Sequence, residues 1–300
     1  MTGAIEPIEG TEQPVATPDG TMSGELEFAV DLAGQAGRLL VDRYERVERI
    51  DYKSARDVVT EVDHLSEELI IEAIRSTWPG DAILAEESGE HHAIAPGGGT
   101  TSTGTIAARA HRTWVIDPLD GTINYANGIP FFCVSIGLLV DGTPAAGVVH
   151  DPIRDETFAA TSGSAAVLDE RPIVASDKER LSDFVVSLAL SGRSVAGRLR
   201  AVRKAIRVPR TMGSAALALA YVANGRFDAF VQQGGLSAWD VAAAGLIAER
   251  AGATVTDMSG GPWFELRRNA RSVGIIAAPA AHHRAILALV RDAENVSSAG

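Results

Sequence analysis

Residues 131–152 read FFCVSIGLLVDGTPAAGVVHDP. Two apolar runs flank Asp141-Gly142, a dipeptide suited to the two-residue turn of a β-hairpin. The stretch therefore predicts a pair of antiparallel strands. Upstream, TWVIDP (113–118) and AILAEE (82–87) read as two more strands. Two helical patterns precede them. The first starts after Ser23, an N-cap residue with Glu25 and Glu27 in the first turn. It repeats Leu26, Ala29, Ala33, Ala36, Leu40 and Tyr44 at helical spacing. The second starts near Glu61, with Val62, Leu65, Leu69 and Ala73 on one face. The first half thus reads as helices packed on a largely antiparallel sheet.

After about residue 180 the rhythm changes to alternating elements. Strands are predicted at 184–190, 207–212, 227–231, near 253–257 and near 273–277, with helices at 194–206, 213–224 and 239–252. Such alternation implies an α/β layer, and the whole reads as a layered α/β/α/β/α arrangement. The expected divisions are a disordered tail (1–23), an α+β part (24–180), an α/β part (181–293) and a short tail (294–300). Residues 91–112, rich in Gly, Ser and Thr, read as an inserted mobile loop.

The chain has 300 residues, 46% hydrophobic and 22% charged, enough to bury a core without cross-links. Its single cysteine, Cys133, lies in an apolar run and reads as a core residue. A formal charge of -12 argues against nucleic acid and anionic membrane as partners, since both require cationic surface. No apolar stretch approaches membrane-spanning length. The first residues lack the basic and apolar segments of a signal peptide, so a cytoplasmic location is expected.

Acids gather at predicted element ends: Asp63 in DVVTEVD, Glu86 and Glu87 in AEESGE, Asp117 and Asp120 in DPLDGT, and Asp240 in AWDVAAAG. Each has a local explanation. Thr60 and Asp63 fit a capping box, Glu86-Glu87 a solvated strand end, Asp240 a helix first turn, and Asp117 an Asp-Pro turn. The second acid of each pair has no such local task. Acids without a matching histidine or cysteine set suit a hard cation, Mg²⁺, Mn²⁺ or Ca²⁺, and argue against zinc. DPLDGT also supplies a stiff turn, a Leu119 carbonyl, and Gly121, where backbone can approach a ligand.

Over roughly residues 25–290 the chain resembles the inositol monophosphatase family of Mg²⁺-dependent, lithium-sensitive phosphatases. DPLDGTINY and AWDVAAAGLIAERAGA match its two signatures, KSARDVVTEVD and AEESGE fall in order before them, and TDMSGGPW resembles its C-terminal turn. The resemblance implies the layered α/β/α/β/α sandwich of the inositol monophosphatase / fructose-1,6-bisphosphatase type. It implies two to three Mg²⁺ ions, with Mn²⁺ a substitute. Glu86, Asp117 and the Leu119 carbonyl would hold the first ion, and Asp117, Asp120 and Asp240 the second. Glu86 would help position a third, and Glu87 would lie beside the first site. Thr122 and Asp63 would activate the attacking water, and the Gly121 and Thr122 amides would bind phosphate. The implied reaction is in-line hydrolysis of a small phosphate monoester, inositol 1-phosphate first, by a homodimer. Seven residues before Asp240, where members acting on inositol phosphates commonly carry Glu, this chain has Gln233. The substrates weighed beside inositol 1-phosphate are therefore histidinol phosphate, fructose 1,6-bisphosphate and adenosine 3′,5′-bisphosphate. A regulatory protein that keeps the fold is the reading from another class.

Overall fold

The computed structural model describes residues 22–44, 50–54, 57–93, 110–191, 195–266 and 274–295. The expectations for a disordered N-terminal tail, a C-terminal tail and the 91–112 loop fall mostly outside them, although helices at Ser23–Arg43 and Ala280–Asn295 take in the inner end of each expected tail. Helix α1 (Ser23–Arg43) leads into strands β1 (Ile50–Ser54) and β2 (Asp57–Thr60), then α2 (Glu61–Thr77). Next come β3 (Ala82–Ala85), β4 (Gly89–His91), β5 (Arg112–Asp120) and the short α3 (Thr122–Ala126). Strands β6 (Cys133–Val140), β7 (Thr143–Asp151), β8 (Glu156–Thr161), β9 (Val167–Leu168) and β10 (Arg171–Pro172) follow. The remaining elements are β11 (Val185–Ala189), α4 (Val195–Ala205), β12 (Val208–Arg210), α5 (Ala215–Ala223), β13 (Ala229–Gln233), α6 (Ala238–Arg250), β14 (Ala253–Asp257), β15 (Gly274–Pro279) and α7 (Ala280–Asn295).

Eight strands form one sheet in the order β10-β9-β8-β7-β6-β5-β3-β4, antiparallel except where β3 runs beside β5. The β6–β7 hairpin turns on Asp141 and Gly142, at φ 49° and 77°. Five strands form a second sheet, β12-β11-β13-β15-β14. Helices α1 and α2 cover one face of the large sheet, α5 and α6 fill the space between the sheets, and α4 and α7 cover the outer face of the small one. The result is an α/β/α/β/α sandwich. Ala216–Ala223 of α5 and Val241–Ala248 of α6 are buried without interruption. A helix apolar on every side is stable only where both faces are covered, and the middle layer provides that. Among the described residues no helix is long and apolar enough to cross a membrane.

Three expectations are corrected. Met22, not Ser23, caps α1, and it makes no side-chain capping bond. The buried face of α2 carries Val62, Ser66, Ile70 and Ile74, with Asp63, Glu67 and Ile71 beside them, while Leu65, Leu69 and Ala73 are half-buried. Apolar periodicity misplaced this face because three of its inward residues are polar. Strands β1, β2, β4 and β8 to β10 and helix α7 were not anticipated.

The middle layer lies unusually close to the large sheet. A Cβ built on Gly147 of β7 would fall 2.7 Å from Ala243 Cα and 3.0 Å from the Ala243 carbonyl oxygen of α6. Gly147→Ala should therefore push α6 away and cost about 1–3 kcal/mol, read as a lower urea midpoint with an unchanged slope. Because Asp240 sits in the first turn of α6, the same variant should weaken whatever that acid does.

Candidate metal centre

Strand β5 ends in Asp117-Pro118-Leu119-Asp120. In a regular strand, residues three apart point to opposite faces. Here Asp117 pairs with Ser135 and Asp120 with Cys133, so β5 spends one residue more than β6 over this span. This β-bulge restores the two acids to the same side. It also accommodates Pro118, which lacks a ladder donor in a strand paired on both edges. Leu119 N donates to Asp117 Oδ1 at 3.1 Å, and Ser66 Oγ of α2 donates to the Pro118 carbonyl at 3.0 Å. The bulge is thus pinned from inside the strand and from the helix behind it.

Carboxylate oxygens of Asp117, Asp120 and Asp240 all lie within 4.8 Å of one another. Glu86 joins them through the parallel pairing of β3 with β5. Ala85 is opposite Ile116, and Glu86 N donates to the Ile116 carbonyl, which sets the Glu86 carboxyl within hydrogen-bonding reach of Asp117. Burial pushes the Asp117 carboxyl well above its ordinary value, and the charges of Glu86, Asp120 and Asp240 push it further. Asp240 is raised by burial and then by Asp120, and Asp120 chiefly by burial. Oxygen donors of like charge, crowded together at a partly buried site, fit a hard divalent cation, whose charge would offset the raised values.

Three helix starts each give backbone amides to an acid, two of them members of the cluster. Asp120 Oδ2 accepts from Ser214 Oγ at 2.5 Å and Ala216 N at 2.7 Å, at the first turn of α5. Asp240 accepts from Ser237 N in a capping box that opens α6. Asp63 Oδ2 accepts from Thr60 N at 2.9 Å and Thr60 Oγ1 at 2.5 Å, closing the box that opens α2. The local capping explanations are therefore correct for Asp63 and Asp240, and for Asp240 capping coexists with membership of the cluster.

Asp63 Oδ1 faces the other way and accepts from Thr122 Oγ1 at 3.0 Å, while the same hydroxyl reaches the Leu119 carbonyl at 3.1 Å. Both contacts commit the Thr122 proton, so its lone pairs are left to accept. Burial raises the Asp63 carboxyl, with the Thr60 and Thr122 bonds opposing. Gly121 precedes α3 at φ 101°, and a Cβ there would meet the Phe131 carbonyl at 3.1 Å. Only glycine makes this turn without strain.

Other residues lie apart from the triad or behind it. The Glu87 amide donates to Glu67 Oε2 at 2.8 Å. Gln233 ends β13, where Arg198 Nη1 donates to its Oε1, and it lines a separate cavity that none of the cluster acids lines. Cys133 is buried, 3.9 Å from Asp120 Oδ2, and burial holds its thiol protonated. Sequence reading missed Ser66, Glu67 and Ser214. The first two had a signal: polar residues three and four beyond Asp63 on a helix otherwise packed by isoleucines.

Comparison with known proteins adds an independent finding. The model of the inositol monophosphatase family matches residues 22–295. A Pasteurella multocida protein named Nus factor SuhB is 38% identical over 250 residues, covering 80% of this chain and 87% of that one. A Thermotoga maritima protein named fructose-1,6-bisphosphatase/inositol-1-monophosphatase is 35% identical over 236 residues, covering 78% and 85%. The crystal structure of the extragenic suppressor protein SuhB from Bartonella henselae superposes with a TM-score of 0.78 at 34% identity, covering 89% of this chain and 98% of that one.

Proposed function

Because the chain belongs to the inositol monophosphatase family, we propose that it is a Mg²⁺-dependent phosphomonoesterase of a small soluble phosphate, with inositol 1-phosphate the leading substrate. The observation that carries this reading is the convergence of Asp117, Asp120 and Asp240 within 4.8 Å. On this reading Glu86, Asp117 and the Leu119 carbonyl hold one ion, and Asp117, Asp120 and Asp240 a second. Glu86 helps place a third, Glu87 lies at the margin, and Mn²⁺ substitutes. When bound, the ions cancel the clustered charge, polarise the phosphate and make a nearby water more acidic.

The chain's own residues supply the rest. Thr122 accepts a proton from the attacking water as its own passes toward Asp63, whose raised affinity for protons suits that task. The Gly121 and Thr122 amides orient the phosphate, and Gln233 meets the remainder of the substrate. The protein acts as a homodimer in the cytoplasm, with neither nucleic acid nor membrane as partner.

A panel of inositol 1-phosphate, histidinol phosphate, fructose 1,6-bisphosphate and adenosine 3′,5′-bisphosphate tests the reading. Phosphate release should need Mg²⁺ and fall when Li⁺ is added. No release from any member would end it. The relatives named Nus factor support a regulatory reading, and capture of a partner that persists in Asp117→Asn would favour it.

A further inference from the structure

Asp63, Ser66 and Glu67 are three and four residues apart on α2, so they share one side of the helix. All three are buried, Glu67 at 3% exposure. Ser66 Oγ donates to the Pro118 carbonyl at 3.0 Å, and Glu67 Oε2 accepts from the Glu87 amide at 2.8 Å. Pro118 directly follows Asp117, and Glu87 directly follows Glu86. Adjacent side chains of one helix therefore hold the residue next to each of two acids that lie on different strands. The interval between those acids is set by the helix behind them.

The Glu86 segment depends on such a hold. Glu86, Glu87 and Ser88 form the three-residue loop of the β3–β4 hairpin, in which Ala85 pairs with Gly89. Gly89 takes φ 78°, the left-handed conformation usual at the end of a loop of this length. Strand β4 is the edge of the large sheet, so the hairpin is paired into the sheet on one side alone. Its outer arm also returns to α2: Ser88 Oγ lies 2.5 Å from His91 Nε2, and Arg75 Nη2 donates to His91 Nδ1 at 2.9 Å. Glu67 grips the loop next to the acid itself. A carboxylate is costly to bury unless its oxygens are bonded, which gives this residue a task on a helix otherwise packed by isoleucines.

We propose that Glu67 is a positioning residue for Glu86, acting through the Glu87 amide by the reach of its side chain and not by its charge. The proposal rests on the metal reading of Glu86; the loop anchor does not. Two single variants separate reach from charge. Glu67→Gln keeps an acceptor oxygen at the same distance and loses the charge. Glu67→Asp keeps the charge and is one methylene too short. In metal-free protein, hydrogen exchange of the loop peptide should quicken by about tenfold in Glu67→Asp and stay within about twofold of wild type in Glu67→Gln. Calorimetric titration with Mn²⁺ should show one class of ion weakened by about 10–100-fold in Glu67→Asp, and by no more than about threefold in Glu67→Gln. The Mg²⁺ concentration needed for hydrolysis should rise likewise in Glu67→Asp, while kcat at saturating Mg²⁺ falls far less. Wild-type Mn²⁺ affinity in Glu67→Asp, or an equal loss in both variants, would overturn the proposal. Should Glu67→Asp melt too low to titrate, a tenfold loss of affinity in Glu67→Gln would overturn it by itself. Loop exchange that responds in a protein binding no Mn²⁺ would remove the metal reading and leave the anchor standing. Mn²⁺ binding that follows the expected split, without hydrolysis of any substrate, would remove the phosphatase reading alone.

Discussion

Asp117→Asn should abolish Mg²⁺-dependent phosphate release, by roughly 10³-fold or more, the scale on which removing a principal electrostatic element slows a site. The same variant should stabilise the metal-free protein. The largest influences on Asp117, burial followed by Glu86, Asp120 and Asp240, all raise its carboxyl above the ordinary 3.8. A group so raised keeps its proton longer in the folded chain than in the unfolded one. Its stabilising contribution is complete below the ordinary value and is lost as pH rises through the raised value. Metal-free wild type should therefore melt at falling temperature from about pH 4 upward, and Asp117→Asn should flatten that slope. Each kcal/mol relieved is worth about 2–4 °C in a chain of this size class. A variant that is inactive and no more stable than wild type at high pH would contradict the crowding described here.

Asp63 yields the second large effect, and two substitutions separate its tasks. Asp63→Ala removes the acceptor for Thr60 and for Thr122. It should cost about 1 kcal/mol through the lost cap and lower kcat by about 10²–10⁴-fold through the lost proton acceptor. Asp63→Asn retains a carbonyl oxygen for Thr60 N and offers an N–H to Thr122. The helix start should survive within about 0.5 kcal/mol, but the Thr122 hydroxyl would turn round and point its proton outward. The kcat loss should therefore match that of Asp63→Ala. If Asp63→Asn kept wild-type kcat, Asp63 would be a capping residue alone.

How much of this was legible beforehand differs from residue to residue. The hairpin at Asp141-Gly142 and the sandwich could be read, because turn chemistry and periodicity are local. The pairing of Asp117 with Asp120 could be suspected from an acid without a turn to make, but their common side depends on a bulge that exists only relative to β6. The buried face of α2 was misread for the opposite reason. Asp63, Ser66 and Glu67 point inward to other elements, and a polar residue gives no sign of facing inward until its partner is known. Gln233 stood out as a departure in sequence, while Arg198, 35 residues away, could be joined to it only by the fold. Strands β9 and β10, two residues each, are too short to carry any period.

The three helix starts that each hold an acid have a consequence for how the protein comes into being. Asp63, Asp120 and Asp240 each already satisfy amide donors at a helix end, where the positive pole of the helix favours negative charge. If divalent cations bind the clustered carboxylates as proposed, the apoprotein should already be folded, and removal of the ions by chelation should be reversible without a cycle of unfolding.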